Sequence, residues 1–175
     1  MNIRTIFPSD RNPLAGVLQA SFRPDEIAVA LELIDEAIAG SDDYCIRVAA
    51  RASDQRSHRA ERPGGRRFDQ MVDIPGGIAG YICYGATPMT DSTYDLYWIA
   101  VHPAMRGCGV ANALITAMER DLGQRGAQGI RVETSETESY GAARRLYERH
   151  AYSEVGRLPD FYRPGDGLII YYKKL

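Results

Sequence analysis

Residues 99–111 read Ile99-Ala-Val-His-Pro-Ala-Met-Arg-Gly-Cys-Gly-Val-Ala111, and they join a predicted strand to a predicted helix. The first backbone N–H groups of a helix lack internal acceptors, and the helix dipole places partial positive charge at the same end. An anion, most often a phosphate, therefore binds well there. Gly107 and Gly109 let the main chain approach such a guest closely, and Arg106 adds a positive charge. The stretch predicts a phosphate-binding turn, although glycines at such joints also act simply as turn-formers.

Two familiar nucleotide-binding patterns do not fit this joint. The dinucleotide fingerprint needs G-x-G-x-x-G followed by an acidic residue about 20 positions later, and the Walker loop needs Gly-Lys-Ser/Thr. Neither pattern occurs around residues 99–111. These two nucleotide-binding motifs are therefore excluded for the joint.

The chain before the joint combines a helix with strands. Ile27, Leu31, Ile34 and Ile38 lie on one face of a helix, and we expect the N-terminal third to be largely helical. Pro24 and Asp25 suit the first turn of that helix, and Gly40 suits its end. Strands are then predicted at 44–50, 77–85 and 94–101.

The chain after the joint alternates between helix and strand. The pattern predicts a helix at 110–125, a strand at 129–135, a helix at 139–150, and two final strands at 152–158 and 168–174 that flank a turn at 160–167. Strands that first pair as hairpins and then alternate with helices indicate an α/β (α+β) fold. We expect a mixed central sheet of about six to seven strands, flanked by about four helices.

Residues 51–76 interrupt this order with six arginines and several Pro and Gly residues. We interpret the segment as a long basic loop inserted between two strands of one hairpin. The sequence leaves two roles open for this loop: it is exposed to solvent without a partner, or it contacts an anionic ligand.

Length and composition fit one soluble domain over residues 1–175. Apolar residues make up 45% of the chain and charged residues 25%, which excludes disordered, collagen-like and coiled-coil classes. The net charge of -2 favours neither nucleic acid nor an anionic membrane as a partner, and no apolar run approaches the ~18 residues of a membrane span. The three cysteines show no zinc spacing, so we expect no metal, and the odd number favours a cytoplasmic location.

Arg106-Gly-Cys-Gly-Val-Ala111 resembles the Arg/Gln-x-x-Gly-x-Gly/Ala signature of the GNAT superfamily of N-acetyltransferases. In that family the signature follows the fourth strand and opens the third helix, to which the predicted strand at 94–101 and helix at 110–125 would correspond. A later motif, Ala-x-x-Leu-Tyr-x-x-x-Gly-Phe, resembles residues 143–152, where Ala151-Tyr152 replaces Gly-Phe and Tyr140 replaces the usual Asn. The resemblance covers about residues 77–175 and implies a single GNAT-like domain that uses acetyl-CoA.

The resemblance also implies which residues hold acetyl-CoA. The pyrophosphate would lie on the amides of the signature, and the pantetheine arm would pair with the main chain of the fourth strand. Tyr140 takes the place of one usual pantetheine contact, so that contact is changed. The residues implied in cofactor binding are Ile99, Ala100, Val101, Arg106, Gly107, Cys108, Gly109, Val110, Ala111, Tyr140 and Tyr147.

Three side chains are candidates for the chemistry. Tyr147 matches the family tyrosine that protonates the departing thiolate, although a core aromatic would also suit its helix. Asp95 lies four residues before Ile99, where some members carry a glutamate, and it is the first candidate for the base that deprotonates the amine. Glu133 is the second, because an acidic residue is poorly explained by strand propensity. A turn-capping or solvent-facing carboxylate is the alternative for both.

Together, these expectations predict an acetyl-CoA-dependent N-acetyltransferase. Its predicted acceptor is a primary amine of a small molecule or amino acid. Acidic residues at 25–43 would suit a cationic amine, whereas the basic loop would suit an anionic acceptor. Acetylation of a protein N-terminus or lysine, and a non-catalytic acyl-CoA-binding sensor or partner module, are the alternatives. Many family members dimerise, so the resemblance is compatible with a homodimer, but no part of the sequence identifies an interface.

Overall fold

The computed structural model describes residues 1–51 and 74–175, and most of the basic loop predicted at 51–76 lies outside these ranges. The strands form one mixed sheet in the order β1-β2-β3-β4-β5-β7-β6, and four α-helices accompany it in the described ranges. The strands are β1 (Asn2–Thr5), β2 (Cys45–Ala50), β3 (Ile78–Ala86), β4 (Thr93–Val101), β5 (Gly129–Ser135), β6 (Ser153–Arg163) and β7 (Asp166–Lys174). The helices are α1 (Arg11–Gln19), α2 (Pro24–Ile38), α3 (Val110–Gln124) and α4 (Gly141–Arg149). The predicted fold class is confirmed.

The chain divides into two compact units. The first contains Met1–Cys83 and Trp98–Leu114, and the second contains Tyr84–Tyr97 and Ile115–Leu175. Strands β3 and β4 and helix α3 each contribute residues to both units.

In the first unit, β1 pairs antiparallel with β2, and α1 and α2 bury their apolar stripes. Gly40 adopts φ +91 just after α2, which is the left-handed conformation expected of a helix-ending glycine. Strand β3 is buried from Ile78 to Gly85, as its continuous apolar sequence predicts for a strand covered on both faces. The fully buried side chains of this unit include Leu14, Leu18, Ile34, Ile78 and Ile82.

Gly80 explains how β3 and β4 approach each other so closely within this unit. A Cβ at Gly80 would lie 2.4 Å from the carbonyl oxygen of Ala100 and 3.3 Å from a methyl group of Val110. Any side chain there would displace backbone at the end of β4. Glycine is therefore required at position 80 because no side chain fits there, and not because of its backbone conformation.

In the second unit, β5 lies between β4 and β7. Its pairing with β4 is parallel, and its pairing with β7 is antiparallel. The register with β4 runs only from Thr93↔Gly129 to Leu96↔Val132, whereas β4 itself continues to Val101. The last residues of β4 therefore have no register partner in β5.

Three sequence predictions for secondary structure need correction. The N-terminal third contains the helices α1 and α2, but it also contains a strand that was not predicted, because Asn2–Thr5 forms an edge strand against β2. A separate helix, Arg11–Gln19, precedes the predicted one and was not foreseen. The predicted turn at 160–167 is much shorter, since β6 continues to Arg163 and β7 begins at Asp166. The longer β6 contains a bulge between Leu158 and Arg163, which absorbs the turn-forming residues.

Candidate functional site

The signature turn of the first unit has the geometry that an anion needs. Gly107 and Gly109 adopt φ +76 and +79, and a Cβ at either position would meet no atom within 4 Å. Helix α3 begins at Val110, and Ala113 N donates to Gly109 O at 3.0 Å as an early helical bond. The N–H groups before Ala113 therefore lie at the dipole-positive end of a 15-residue helix, beside open space.

Arg106 supplies a charge at this turn that no carboxylate of the described residues neutralises. Its Nε donates to Val101 O at 3.4 Å, and its Nη2 donates to Ser21 Oγ at 3.5 Å. Both bonds are long, exposed and made to neutral groups. The guanidinium can thus turn toward an incoming phosphate at little cost.

The residues that precede the signature have structural roles in this unit. Nδ1 of His102 accepts from Ala104 N at 3.3 Å and caps the short 3₁₀ turn Pro103–Met105. Cys108 is half-buried, and its Sγ lies 3.8 Å from Arg106 O. Ile99, Ala100 and Val101 lie in the part of β4 that continues beyond its register with β5.

In the second unit, Asp95 is buried and paired with a residue that the sequence did not single out. Both of its oxygens accept from Arg131, at 2.7 Å from Nε and 3.0 Å from Nη2, because Asp95 and Arg131 are opposite each other in the β4–β5 register. This partnership raises the pKa of the Arg131 guanidinium, chiefly through the hydrogen bond with Asp95. A bidentate pair of this kind uses one acceptor position on each oxygen of Asp95 and holds the carboxylate against the guanidinium.

Glu133 belongs to the same polar group but is less engaged. Its carboxylate lies 3.3 Å from Nη1 of Arg131, and its side chain is 42% exposed. Arg131 thus brings the two predicted bases together, and leaves Glu133 the more accessible of them. Only the strand register reveals this, since Arg131 lies in no recognisable motif.

Tyr147 lies in α4, and its phenol ring is enclosed by other tyrosines. Its ring centroid is 6.0 Å from that of Tyr152 and 5.8 Å from that of Tyr171. Burial is the main cause that raises its pKa, with smaller contributions from Tyr140 and Tyr171. Tyr147 therefore keeps its proton at every physiological pH, as a proton or hydrogen-bond donor must.

Two local features fix the position of α4. Nη1 of Arg144 donates to the carbonyl oxygens of Ser135 and Thr137 at 2.8 and 2.7 Å, which ties the helix to the end of β5. At the other end of α4, Tyr152 N donates to Tyr147 O, and Ala151 N donates to Glu148 O, both at 3.0 Å. These two bonds form a Schellman motif, whose usual apolar contact is here the packing of Tyr152 on Tyr147.

Two negative findings concern the described residues alone. Within 1–51 and 74–175, no cluster of three or more His, Cys, Asp or Glu side chains has a metal-binding arrangement. Over the same ranges, no helix is long and apolar enough to cross a membrane.

Comparison with known proteins identifies several relatives. A family model described as "Acetyltransferase (GNAT) domain" matches residues 69–154. An acetyltransferase of Pectobacterium atrosepticum is 33% identical over 85 residues, which is 49% of this chain and 57% of that protein. The chain thus aligns with little more than half the length of that curated relative.

Solved structures match over nearly the whole chain. An acetyltransferase of the GNAT family from Desulfovibrio desulfuricans is 34% identical, with a TM-score of 0.80, over 99% of this chain and 98% of that one. An aminoglycoside 6'-N-acetyltransferase complexed with coenzyme A has a TM-score of 0.70 at 17% identity, over 99% of this chain and 97% of that one. The ribosomal-protein-S18-alanine N-acetyltransferase from Escherichia coli also has a TM-score of 0.70 at 17% identity, over 99% and 92% of the two chains. The last two similarities concern the fold.

Proposed function

The chain belongs to the GNAT family of acetyltransferases, and from this premise we propose that it transfers an acetyl group from acetyl-CoA to a primary amine of a small molecule or amino acid. The observation that carries the proposal is the signature turn at 106–111. It combines two open, left-handed glycines, a helix N-terminus and an arginine without a carboxylate partner among the described residues. Acetyl-CoA would be the second substrate, and it would supply the activated acyl group and the leaving thiol.

In this proposal the main chain binds the donor. Amides within 106–111 hold its pyrophosphate, apart from those of Arg106 and Cys108, which donate to Pro103 O and Met105 O. The Arg106 guanidinium gives up its bonds to Val101 and Ser21 and pairs with a phosphate oxygen. Ile99, Ala100 and Val101 offer backbone groups that β5 does not pair in register, and these hold the extended arm of the donor. The departures from the family motif, Tyr140 among them, affect one side-chain contact and leave these main-chain contacts intact.

The proton transfers are assigned to side chains of the second unit. Tyr147 stabilises the departing sulfur, chiefly as a hydrogen-bond donor because its raised pKa makes full proton release unfavourable. Of the two predicted bases we favour Glu133, which deprotonates the amine directly or through water. Asp95 holds Arg131 in place, and so positions Glu133 through the shared guanidinium.

The first experiment measures thiol release from acetyl-CoA with a panel of primary amines, using wild type and Tyr147→Phe. We expect this substitution to reduce kcat by about 100-fold, as the loss of one hydrogen-bond donor to a developing charge does, with the dissociation constant for acetyl-CoA changed by less than about twofold. Tyr44→Phe, which removes a hydroxyl far from α4 in the sequence, is the control and should keep full turnover. Full turnover by the Tyr147 variant would remove this residue from the mechanism.

The same assay tests the competing function. A non-catalytic acyl-CoA-binding module would bind acetyl-CoA and release no thiol with any amine. Turnover on peptides with a free N-terminus or a lysine, and on no small amine, would instead indicate a protein acetyltransferase.

A further inference from the structure

An aromatic pair forms part of the surface of the first unit, next to the segment proposed to bind acetyl-CoA. Phe22 lies in the short connection between α1 and α2, and Trp98 precedes Ile99 in β4. Their ring centroids are 5.1 Å apart and their planes meet at 84°, an edge-to-face contact. The connection between two helices is thus packed directly on the strand.

The pair is not part of the unit's core. Both side chains are only half-buried, whereas Tyr81 in the same unit is 1% exposed. An edge-to-face contact covers the edge of one ring and the face of the other, so apolar surface of both rings stays available. Phe22 and Trp98 therefore present an apolar patch on this side of β4.

The connection contacts the signature turn at a second point. Ser21 Oγ accepts from Nη2 of Arg106 at 3.5 Å, while Nε of Arg106 donates to Val101 O at 3.4 Å. The residue before Phe22 is therefore bonded to the signature arginine, which in turn is bonded to the end of β4. Arg106, which belongs to the donor-binding turn, therefore also contacts the residue next to the patch.

Part of the acidic charge of α2 is already paired with arginines. Asp35 is paired with Arg11 at 2.6 Å, and Asp25 and Glu26 lie 3.5 and 3.4 Å from Arg23. Three of the seven acidic residues at 25–43, Asp25, Glu26 and Asp35, thus have arginine partners. The charged side chains next to Phe22, by sequence and through Ser21, are Arg23 and Arg106, and neither attracts a second ammonium group.

Building on the proposed function, we infer that Phe22 and Trp98 recognise the acceptor, and that the acceptor is a primary amine carrying an aryl or branched alkyl group near the nitrogen. The apolar group lies against the two rings while the amine points along β4 toward the donor. Burial of each additional methylene or ring discriminates between acceptors by about 10- to 200-fold. Diamines and amino alcohols gain nothing from this surface.

The test compares kcat/KM for 2-phenylethylamine, isobutylamine, ethanolamine and 1,3-diaminopropane in the thiol-release assay. Wild type should prefer the first two amines by about tenfold or more. Phe22→Ala should abolish that preference by raising KM for the apolar amines, while kcat/KM for ethanolamine and the affinity for acetyl-CoA stay within about twofold. Phe22→Leu should restore part of the preference, because it restores apolar area.

The matched control is Phe7→Ala, which removes another exposed phenylalanine of the same unit, 54% exposed and stacked under Arg4. It should leave the preference among amines unchanged. Equal loss on all four amines in the Phe22 variants, or a wild-type preference for 1,3-diaminopropane, would overturn the inference while leaving the proposed function intact. Wild-type protein that releases no thiol with any amine would overturn the proposed function and this inference with it.

Discussion

Two helix ends in this chain use the same backbone motif with different residues. After α3, Gly126 at φ +79 donates to Gly123 O, and Ala127 donates to Leu122 O. After α4, Ala151 at φ +62 occupies the position equivalent to Gly126. The family motif has glycine at this position. Alanine instead places a Cβ in the left-handed region, which favours glycine.

Replacement of Ala151 by glycine should therefore stabilise the protein. We expect the free energy of unfolding to rise by about 1 kcal/mol, because the left-handed strain of a Cβ outweighs the extra entropy of glycine in the unfolded chain. Urea denaturation measures the change. Ala117→Gly in the interior of α3 is the control, and it should destabilise by about 1 kcal/mol. Equal effects of the two substitutions would show that Ala151 is not strained.

At the scale of elements, a partly buried polar cluster joins α3, the end of α4 and β7. Lys173 Nζ lies 2.8 Å from Oε1 of Glu119, and His150 Nδ1 lies 3.9 Å from the same oxygen. Burial lowers the pKa of His150 below its ordinary value of 6.5. Glu119 opposes this shift, while Lys173 and Arg149 add to it. The folded protein therefore favours neutral His150 next to an already paired carboxylate.

This cluster makes stability depend on pH in a defined direction. Below the ordinary histidine pKa the unfolded chain binds more protons at His150 than the folded chain, so stability is lost as the pH falls. We expect wild type to lose more unfolding free energy between about pH 7.5 and about pH 5.5 than His150→Gln, which cannot protonate. Urea titrations at the two pH values measure the difference. An identical pH dependence in the two proteins would exclude His150 as its source.

At the scale of the whole molecule, binding of acetyl-CoA should increase the free energy of unfolding and the melting temperature. A ligand that binds only the folded chain stabilises it by about 2.7 kcal/mol at 100 times its dissociation constant. For a chain of this size each kcal/mol raises the melting temperature by about 2–4 °C. We expect acetyl-CoA at that excess to raise the melting temperature of wild type accordingly, as measured by differential scanning calorimetry.

Alanine substitutions at two glycines distinguish an effect on acetyl-CoA binding from an effect of backbone strain on stability. Gly109 and Gly165 adopt nearly the same backbone, at φ +79 and +78, and a Cβ at either would meet nothing within 4 Å. Alanine at either position should lower the melting temperature of the free protein similarly. Only Gly109→Ala should reduce the shift caused by acetyl-CoA, because only that Cβ lies at the proposed pyrophosphate turn. A full shift in the Gly109 variant would contradict the assignment of the turn.

Prediction from the sequence succeeded where a pattern was long and periodic. The structure confirms α3 and β5 almost to the residue, as apolar spacing and flanking glycines predicted. It failed for β1, which is only four residues long, and for α1, which contains Asn, Pro and Gly. Helix α1 is stabilised by the burial of Leu14, Val17 and Leu18, which outweighs weak propensity. Such burial depends on distant partners that a local pattern does not contain.

The sequence alone determined the signature turn, because a strand end, two glycines and a helix start lie within thirteen consecutive residues, 99–111. Its backbone geometry follows from local conformational preferences. Only the tertiary structure decided the partners of the candidate site. Asp95 meets Arg131 across a strand register, and Phe22 meets Trp98 across the packing of a helix connection on β4. These contacts join residues far apart in the chain, so folding had to bring them together before their chemistry could be described.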